Sequence, residues 1–341
     1  MHPSAIRDAS RPQLKPLSST EADNAFQTLS RESLLALLRL LEAQGYDFVA
    51  PTPSTHARVV ARAEHDQGRG IRDVLGWSLP FKADALPDDV FAALNAAGVI
   101  EERKDGLFEA VVRVSFVYGS LFLHSSYPTV AEDSVFLGPD SYRFADFIVR
   151  NMAGLPPHAR ILDYGAGAGV GGIIAGRNHG NAAVTLADVN PKALFLASIN
   201  AEMAGLDHGV VSAKSPNDVD GTFDLIVTHP PFMMDEGHRA YRDGGDLHGA
   251  RLSLDWVLQA TPKLAPGGRL ILHTGVSIVD GRDVLLEELR ARLPELGVAY
   301  SYRVLDPDIF GDELDRPAYA DVERIAAVGL CVTRPTVSLD D

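Results

Sequence analysis

Cysteine is almost missing from this chain. Its 341 residues include one, Cys331, so no disulfide can close within the chain and no thiolate cluster can hold zinc. That usage suits a reducing compartment. Cys331 lies in the apolar run Val328 to Val332 and reads as a core residue. Long apolar runs are missing too. None approaches the roughly 18 residues of a membrane span, and the first residues show no apolar signal segment. A cytoplasmic protein without a membrane partner is the expectation. Basic charge is in short supply: 31 Lys and Arg stand against 46 Asp and Glu, a net charge of −15. A broad nucleic-acid-binding surface needs Lys and Arg to displace phosphate counterions, so this balance disfavours one, although a local basic strip can sit on an acidic protein.

What is present is ordinary for a globular chain of one or two domains, with 46% hydrophobic and 23% charged residues. The organising stretch runs from Arg160 to Gly172, R-I-L-D-Y-G-A-G-A-G-V-G-G. A short apolar run carries Asp163 at its end and breaks into glycines at 165, 167 and 169. It reads as a buried strand, a tight turn and the start of a helix, with glycines where backbone must bend and approach a ligand. Counted from Gly165, the dinucleotide spacing G-x-G-x-x-G is lacking, and no G-K-[ST] follows to cradle a phosphate. Val184 to Asp188 reads as a second strand ending in an acid, about 20 residues downstream, where a nucleoside site in an α/β sheet expects a carboxylate. Phe223-Asp-Leu-Ile-Val-Thr-His-Pro-Pro-Phe232 is a strand running into a Pro-Pro turn.

These three elements together resemble the class I S-adenosylmethionine (SAM) methyltransferases. More narrowly, they are similar to the small-domain branch that includes glutamine methyltransferases of release factors and several rRNA guanine methyltransferases. That branch carries Asn-Pro-Pro-Tyr or Asn-Pro-Pro-Phe where this chain has His229-Pro230-Pro231-Phe232. The resemblance covers about residues 130 to 280. It implies an α/β fold with a Rossmann-like, seven-stranded, mostly parallel sheet, and SAM as cofactor. Cofactor-binding residues would be Asp163, Gly165, Gly167, Gly169, Asp188 and Ser215. Asp188 would accept from the ribose hydroxyls, or else merely cap the following helix. Ser215 or Asn217 would bound adenine. In the family, the Asn oxygen and the next Pro carbonyl hold a planar NH2 group on which the aromatic stacks. Pro230 and Phe232 keep those roles, but His229 offers imidazole instead of an amide. Imidazole can accept one hydrogen bond and can take a proton near neutral pH. His229, Pro230 and Phe232 are therefore the expected catalytic set, acting on an amine, azole or hydroxyl.

The rest of the chain sorts around that centre. Residues 1–25 read as a mobile tail, 26–128 as an N-terminal α+β winged-helix-like or cap domain, and 129–335 as the catalytic domain. A leucine-rich helix is expected over 31–44, a loop over 51–56, a helix from Ala57, further helices over 70–77 and 84–98, and a hairpin about Lys104-Asp105-Gly106. Acidic Asp84, Asp88 and Asp89 beside the would-be recognition helix favour a cap over a nucleic-acid grip. Phe136 and Asp140 to Tyr142 are either pocket residues or a core residue and a helix cap. From Arg160, strand and helix alternate to 333, with a turn expected at Ala265 to Gly268. After the Pro-Pro turn, Tyr241 and Arg242 are expected to bind substrate, with an internal salt bridge from Arg242 to Asp243 or Asp246 as the alternative. His229, His238 and His248 match no zinc spacing, so no metal is expected. The acid-rich segment 306–315 is either a pocket wall or a solvated loop. The functional expectation is N-methylation of a protein or small-molecule acceptor. The alternatives are rRNA base methylation and a SAM-binding regulatory subunit without catalysis.

Overall fold

Leucines 34, 35, 37, 38 and 41 are buried along helix α1 (Arg31–Ala43), which starts where Ser30 accepts a hydrogen bond from the Ser33 amide. In this computed structural model residues 30–336 are described, apart from 236, 238 and 240. The tail at 1–25 and His238 thus lie outside the described residues. Helix α2 (Pro53–Val60) begins earlier than expected, inside the segment read as a loop. The Thr52 hydroxyl caps the Thr55 amide at 3.2 Å, and proline at the first position is pre-set for helix and lacks only an amide that would have no partner there. Helices α3 (Ile71–Leu75) and α4 (Asp88–Ala97) follow, then two hairpins: β1 (Ile100–Glu102) with β2 (Phe108–Ala110), and β3 (Val112–Val117) with β4 (Ser120–Ser125). The N-terminal part is thus an assembly of helices and two small antiparallel sheets.

Helix α5 (Pro139–Asn151) leads into the alternating half: β5 (Arg160–Tyr164), α6 (Val170–His179), β6 (Ala183–Asp188), α7 (Pro191–Met203), β7 (His208–Ser212), β8 (Phe223–Thr228), α8 (Arg251–Ala260), β9 (Leu264–Val279), β10 (Arg282–Asp283), α9 (Val284–Arg292), β11 (Ala299–Ile309) and β12 (Arg324–Thr333). Seven of these strands line up as β11-β12-β9-β8-β5-β6-β7, and the two-residue β10 folds back on β9. The pairs from β9 through β8, β5 and β6 to β7 are parallel, while β12 is reversed and pairs antiparallel with both β9 and β11. The expected turn at 265–268 is instead a bulge inside β9. Pairing with β8 slips between Phe223↔Leu264 and Leu225↔Arg269, and Gly267 takes a left-handed φ of 79°. Proline and glycines end a strand in most contexts, but here the extra residues are looped out of a ladder that continues.

Strand order reverses at β5, with β6 on one side and β8 on the other. Crevices that accept ligands open at the carboxyl ends of strands where the winding direction switches. The buried core is continuous across the N-terminal part and this sheet: one cluster takes in Leu34, Phe48, Leu94 and Phe122 together with Ile161, Ile173 and Leu196.

Candidate active site

A cavity of about 890 Å³ lies at those carboxyl ends. A shallower recess of about 610 Å³, lined by Met152, Pro157 and His179 among others, sits by the segments leading into β5 and β6, away from the chemistry-bearing side chains. The floor of the large cavity is the turn after β5. Gly165, Gly167 and Gly169 all take positive φ (70°, 55° and 84°), the region L side chains avoid. Gly165 and Gly167 line the cavity, and a Cβ placed on Gly167 would meet nothing within 4 Å, so the space over it is open for a ligand. Gly169 caps α6 and packs toward Ile173 and Ala197, behind the lining rather than in it.

Two carboxylates hold this floor. Asp163 Oδ2 accepts the Gly172 amide at 2.7 Å, and burial pushes its carboxyl up to about 7. Asp188 Oδ2 accepts the Gly167 amide at 2.9 Å and Oδ1 accepts that of Asn190 at 2.9 Å. Burial raises its pKa, and these backbone amides oppose the rise. The cap of α7 is supplied by Asn190, whose Oδ1 accepts the Lys192 amide at 3.0 Å, so Asp188 is left to the glycine loop and the cavity. Val189 beside it lines the cavity and is 51% exposed, an apolar surface next to a carboxylate.

The opposite wall is the corner after β8. His229, Pro230 and Phe232 all line the cavity. The His229 ring lies between Phe144 and Phe232, at centroid distances of 5.6 and 5.9 Å. Its Nδ1 is 2.8 Å from the His273 carbonyl oxygen and 3.2 Å from His273 Nδ1. Burial lowers its pKa, and Asp140 acts in the other direction. Phe136, Asp140 and Ser141 line the cavity as well, whereas the Tyr142 hydroxyl turns to the Ala50 amide at 3.0 Å.

Of the remaining expected residues, Tyr241 and Arg242 reach the cavity but are tethered. The Tyr241 hydroxyl donates to the Thr129 carbonyl at 2.7 Å. Arg242 pairs with Asp235 at 3.2 Å and with Glu313 at 2.6 Å. Asp235 also takes the Arg239 guanidinium at 2.8 Å, and that bond holds its carboxyl down at about 2. Ser215 is not part of the lining: its hydroxyl accepts the Asn217 amide, while Ala213 and Lys214 face the cavity. Within the acid-rich segment Phe310 to Glu313 form a wall of the cavity, while Pro307, Asp308 and Asp315 are exposed. His248 pairs with Asp321 at 3.0 Å, and among the described residues no group of three or more His, Cys, Asp or Glu is placed to hold a metal. Sequence reasoning missed His273, Asp235 and the partnership with Glu313. The first acts through its backbone, and the others are ordinary acids until the fold brings the arginines to them.

Residues 144–275 match the family described as methyltransferase small domain. Over 125 residues the chain is 34% identical to the release factor glutamine methyltransferase of Deinococcus radiodurans, covering 33% of this chain and 45% of that one. Over 117 residues it is 35% identical to ribosomal RNA small subunit methyltransferase C of Pasteurella multocida, covering 34% and 32%. The chain spans less than half the length of either relative. Among solved structures, wild-type Trm5b from Pyrococcus abyssi is similar at 15% identity and a TM-score of 0.47, over 67% of this chain and 58% of that one. The matched residues 144–275 contain the glycine floor, both carboxylates and the His-Pro-Pro-Phe corner. The residues present fit SAM: an open glycine cradle, a carboxylate fixed at the end of β6 beside an apolar surface, and a buried acid under the loop.

Proposed function

We propose that the chain is a SAM-dependent methyltransferase that methylates a nitrogen on a protein or small-molecule acceptor held at the His229-Pro230-Pro231-Phe232 corner. The carrying observation is that the glycine floor, Asp188 and this corner line one cavity. Bound there, SAM supplies an electrophilic methyl group. Asp188 and the loop amides hold the nucleoside end. The Pro230 carbonyl and His229 align the acceptor, and Phe144 and Phe232 keep water from the reacting atoms.

Charge at the cavity favours a protein or small molecule over RNA. Its arginines face carboxylates: Arg58 lies 3.8 Å from Asp312, Arg242 2.6 Å and Arg316 2.9 Å from Glu313. Neutralised arginines release few phosphate counterions. Thr52 to Ser54 and Arg58 contribute to the lining, which supports residues 26–128 as a cap over the acceptor. A second reading, rRNA base methylation, is favoured by the equal similarity to the Pasteurella multocida enzyme. Incubation of the protein with labelled methyl donor and cell extract, split into RNA, protein and metabolite fractions, tests both. Label in protein or metabolites supports the first reading, label in RNA the second, and none in any fraction with SAM bound points to a regulatory subunit.

A further inference from the structure

We infer that His229 is the proton acceptor of the transfer, with the buried carboxylate of Asp140 lining the same cavity, so that the acceptor is a protic nucleophile: an azole nitrogen, an amine or a hydroxyl. This rests on the reading of the cavity as a methyl-transfer centre and narrows its substrate class.

The tautomer follows from geometry. A backbone carbonyl can only accept, so the 2.8 Å contact between His229 Nδ1 and the His273 oxygen requires the proton on Nδ1. The opposite tautomer would set two lone pairs against each other. The neutral ring therefore keeps its lone pair on Nε2, which has no hydrogen-bond partner among the described residues, on a ring that lines the cavity. An amide in this place could accept a hydrogen bond but could not take up a proton at neutral pH. Imidazole can.

Asp140 lies in the first turn of α5, is 2% exposed and lines the same cavity. Its Oδ1 accepts from Arg143 at 3.1 Å, and Arg143 is shared with Asp306 of β11 at 2.8 Å. One guanidinium is thus divided between two carboxylates, and although burial raises the Asp140 pKa, His229 and Arg143 oppose that rise. From β9 the facing titratable group is His273, which is fully buried and held well below the usual histidine range by desolvation. It stays neutral, with its Nδ1 3.2 Å from His229 Nδ1 and on the side of that ring away from Nε2. The flanking Phe144 and Phe232 carry no charge. An imidazolium formed at His229 is thus favoured by Asp140 and by the His273 carbonyl that accepts from Nδ1.

In the transfer, the bond from the acceptor atom to the methyl carbon forms as the carbon–sulfur bond breaks, its electron pair staying on sulfur. The acceptor proton passes to His229 Nε2 and then to water after product leaves. Atoms and charge balance: the positive charge of the sulfonium ends as the released proton.

The full chain with isotope-labelled imidazole nitrogens, titrated by NMR from about pH 4.5 to 8.5, tests the device without an acceptor. The expected result is the Nδ1–H tautomer of His229, with a pKa that falls further in Asp140→Asn. An Nε2–H tautomer, or a pKa unmoved in that variant, overturns the proposal. With the acceptor fraction identified, wild-type kcat should rise through an acid limb at the same pH, shifted to lower pH in Asp140→Asn. His229→Asn should lose the limb and about 100-fold or more in kcat, while binding SAM within about twofold. A His229→Asn enzyme that keeps its rate overturns the base. Failure of the wild type to bind SAM in calorimetry sinks the underlying methyltransferase reading instead, whatever the imidazole does.

Discussion

Asp163 shows how far one residue can be read from its neighbours in sequence. An acid closing a buried strand just before a glycine turn has few places to go, and its bond to the Gly172 amide is the local consequence. Its energetics needed the fold, because burial sets its pKa at about 7, against about 3.9 for an ordinary aspartate. The native state therefore binds a proton more tightly than the unfolded chain. This contribution is fully favourable below about pH 4 and is lost as pH rises toward 7. A cation bound nearby stabilises the carboxylate, so SAM binding should release a proton near pH 6.5. Calorimetry in buffers of differing ionisation enthalpy should show that release in the wild type and not in Asp163→Asn, which keeps the acceptor for Gly172. Equal proton counts in both proteins would assign the effect elsewhere. His273, by contrast, was illegible: it acts on His229 through a backbone oxygen 44 positions away, and no side-chain pattern signals that.

Among elements, β9 departs most from expectation. Pro266, Gly267 and Gly268 have the composition of a turn, yet the strand begins at Leu264 because its ladder with β8 resumes after the bulge. Alternation of strand and helix was readable from apolar runs, whereas continuation across a bulge depends on a partner strand. Further along β9, Gly275 leaves room for the corner: a Cβ there would lie 2.2 Å from the Phe232 ring. Gly275→Ala should therefore displace Phe232, destabilise the fold by about 1–3 kcal/mol and reduce turnover while SAM affinity is kept. In a Phe232→Ala background the same substitution should cost far less, with a coupling of about 1 kcal/mol or more in denaturant unfolding. Additive effects would mean that the ring does not need the space.

For the whole molecule, the question is how the N-terminal helices and hairpins are fastened to the sheet. Their existence was legible from leucine spacing and the Lys-Asp-Gly turn, but their docking was not, since it depends on an asparagine inside a helix with no motif around it. Asn200 of α7 is 1% exposed. Its Oδ1 accepts the Leu123 amide at 2.9 Å, and its Nδ2 donates to the carbonyls of Leu123 at 3.0 Å and Ala168 at 2.9 Å. One amide thus joins β4, α7 and the glycine turn. Removing it strands three buried backbone groups, each costing about 1–3 kcal/mol. Asn200→Ala should lose about 3 kcal/mol or more in denaturant unfolding and weaken SAM binding, because Ala168 lines the cavity. Asn200→Asp keeps the bond from the Leu123 amide but sets carboxylate oxygen against two carbonyls, so it should be no better than alanine. A loss under about 1 kcal/mol in Asn200→Ala, with SAM affinity unchanged, would show that apolar packing between α1, α4 and α7 fastens the N-terminal part without help from this residue.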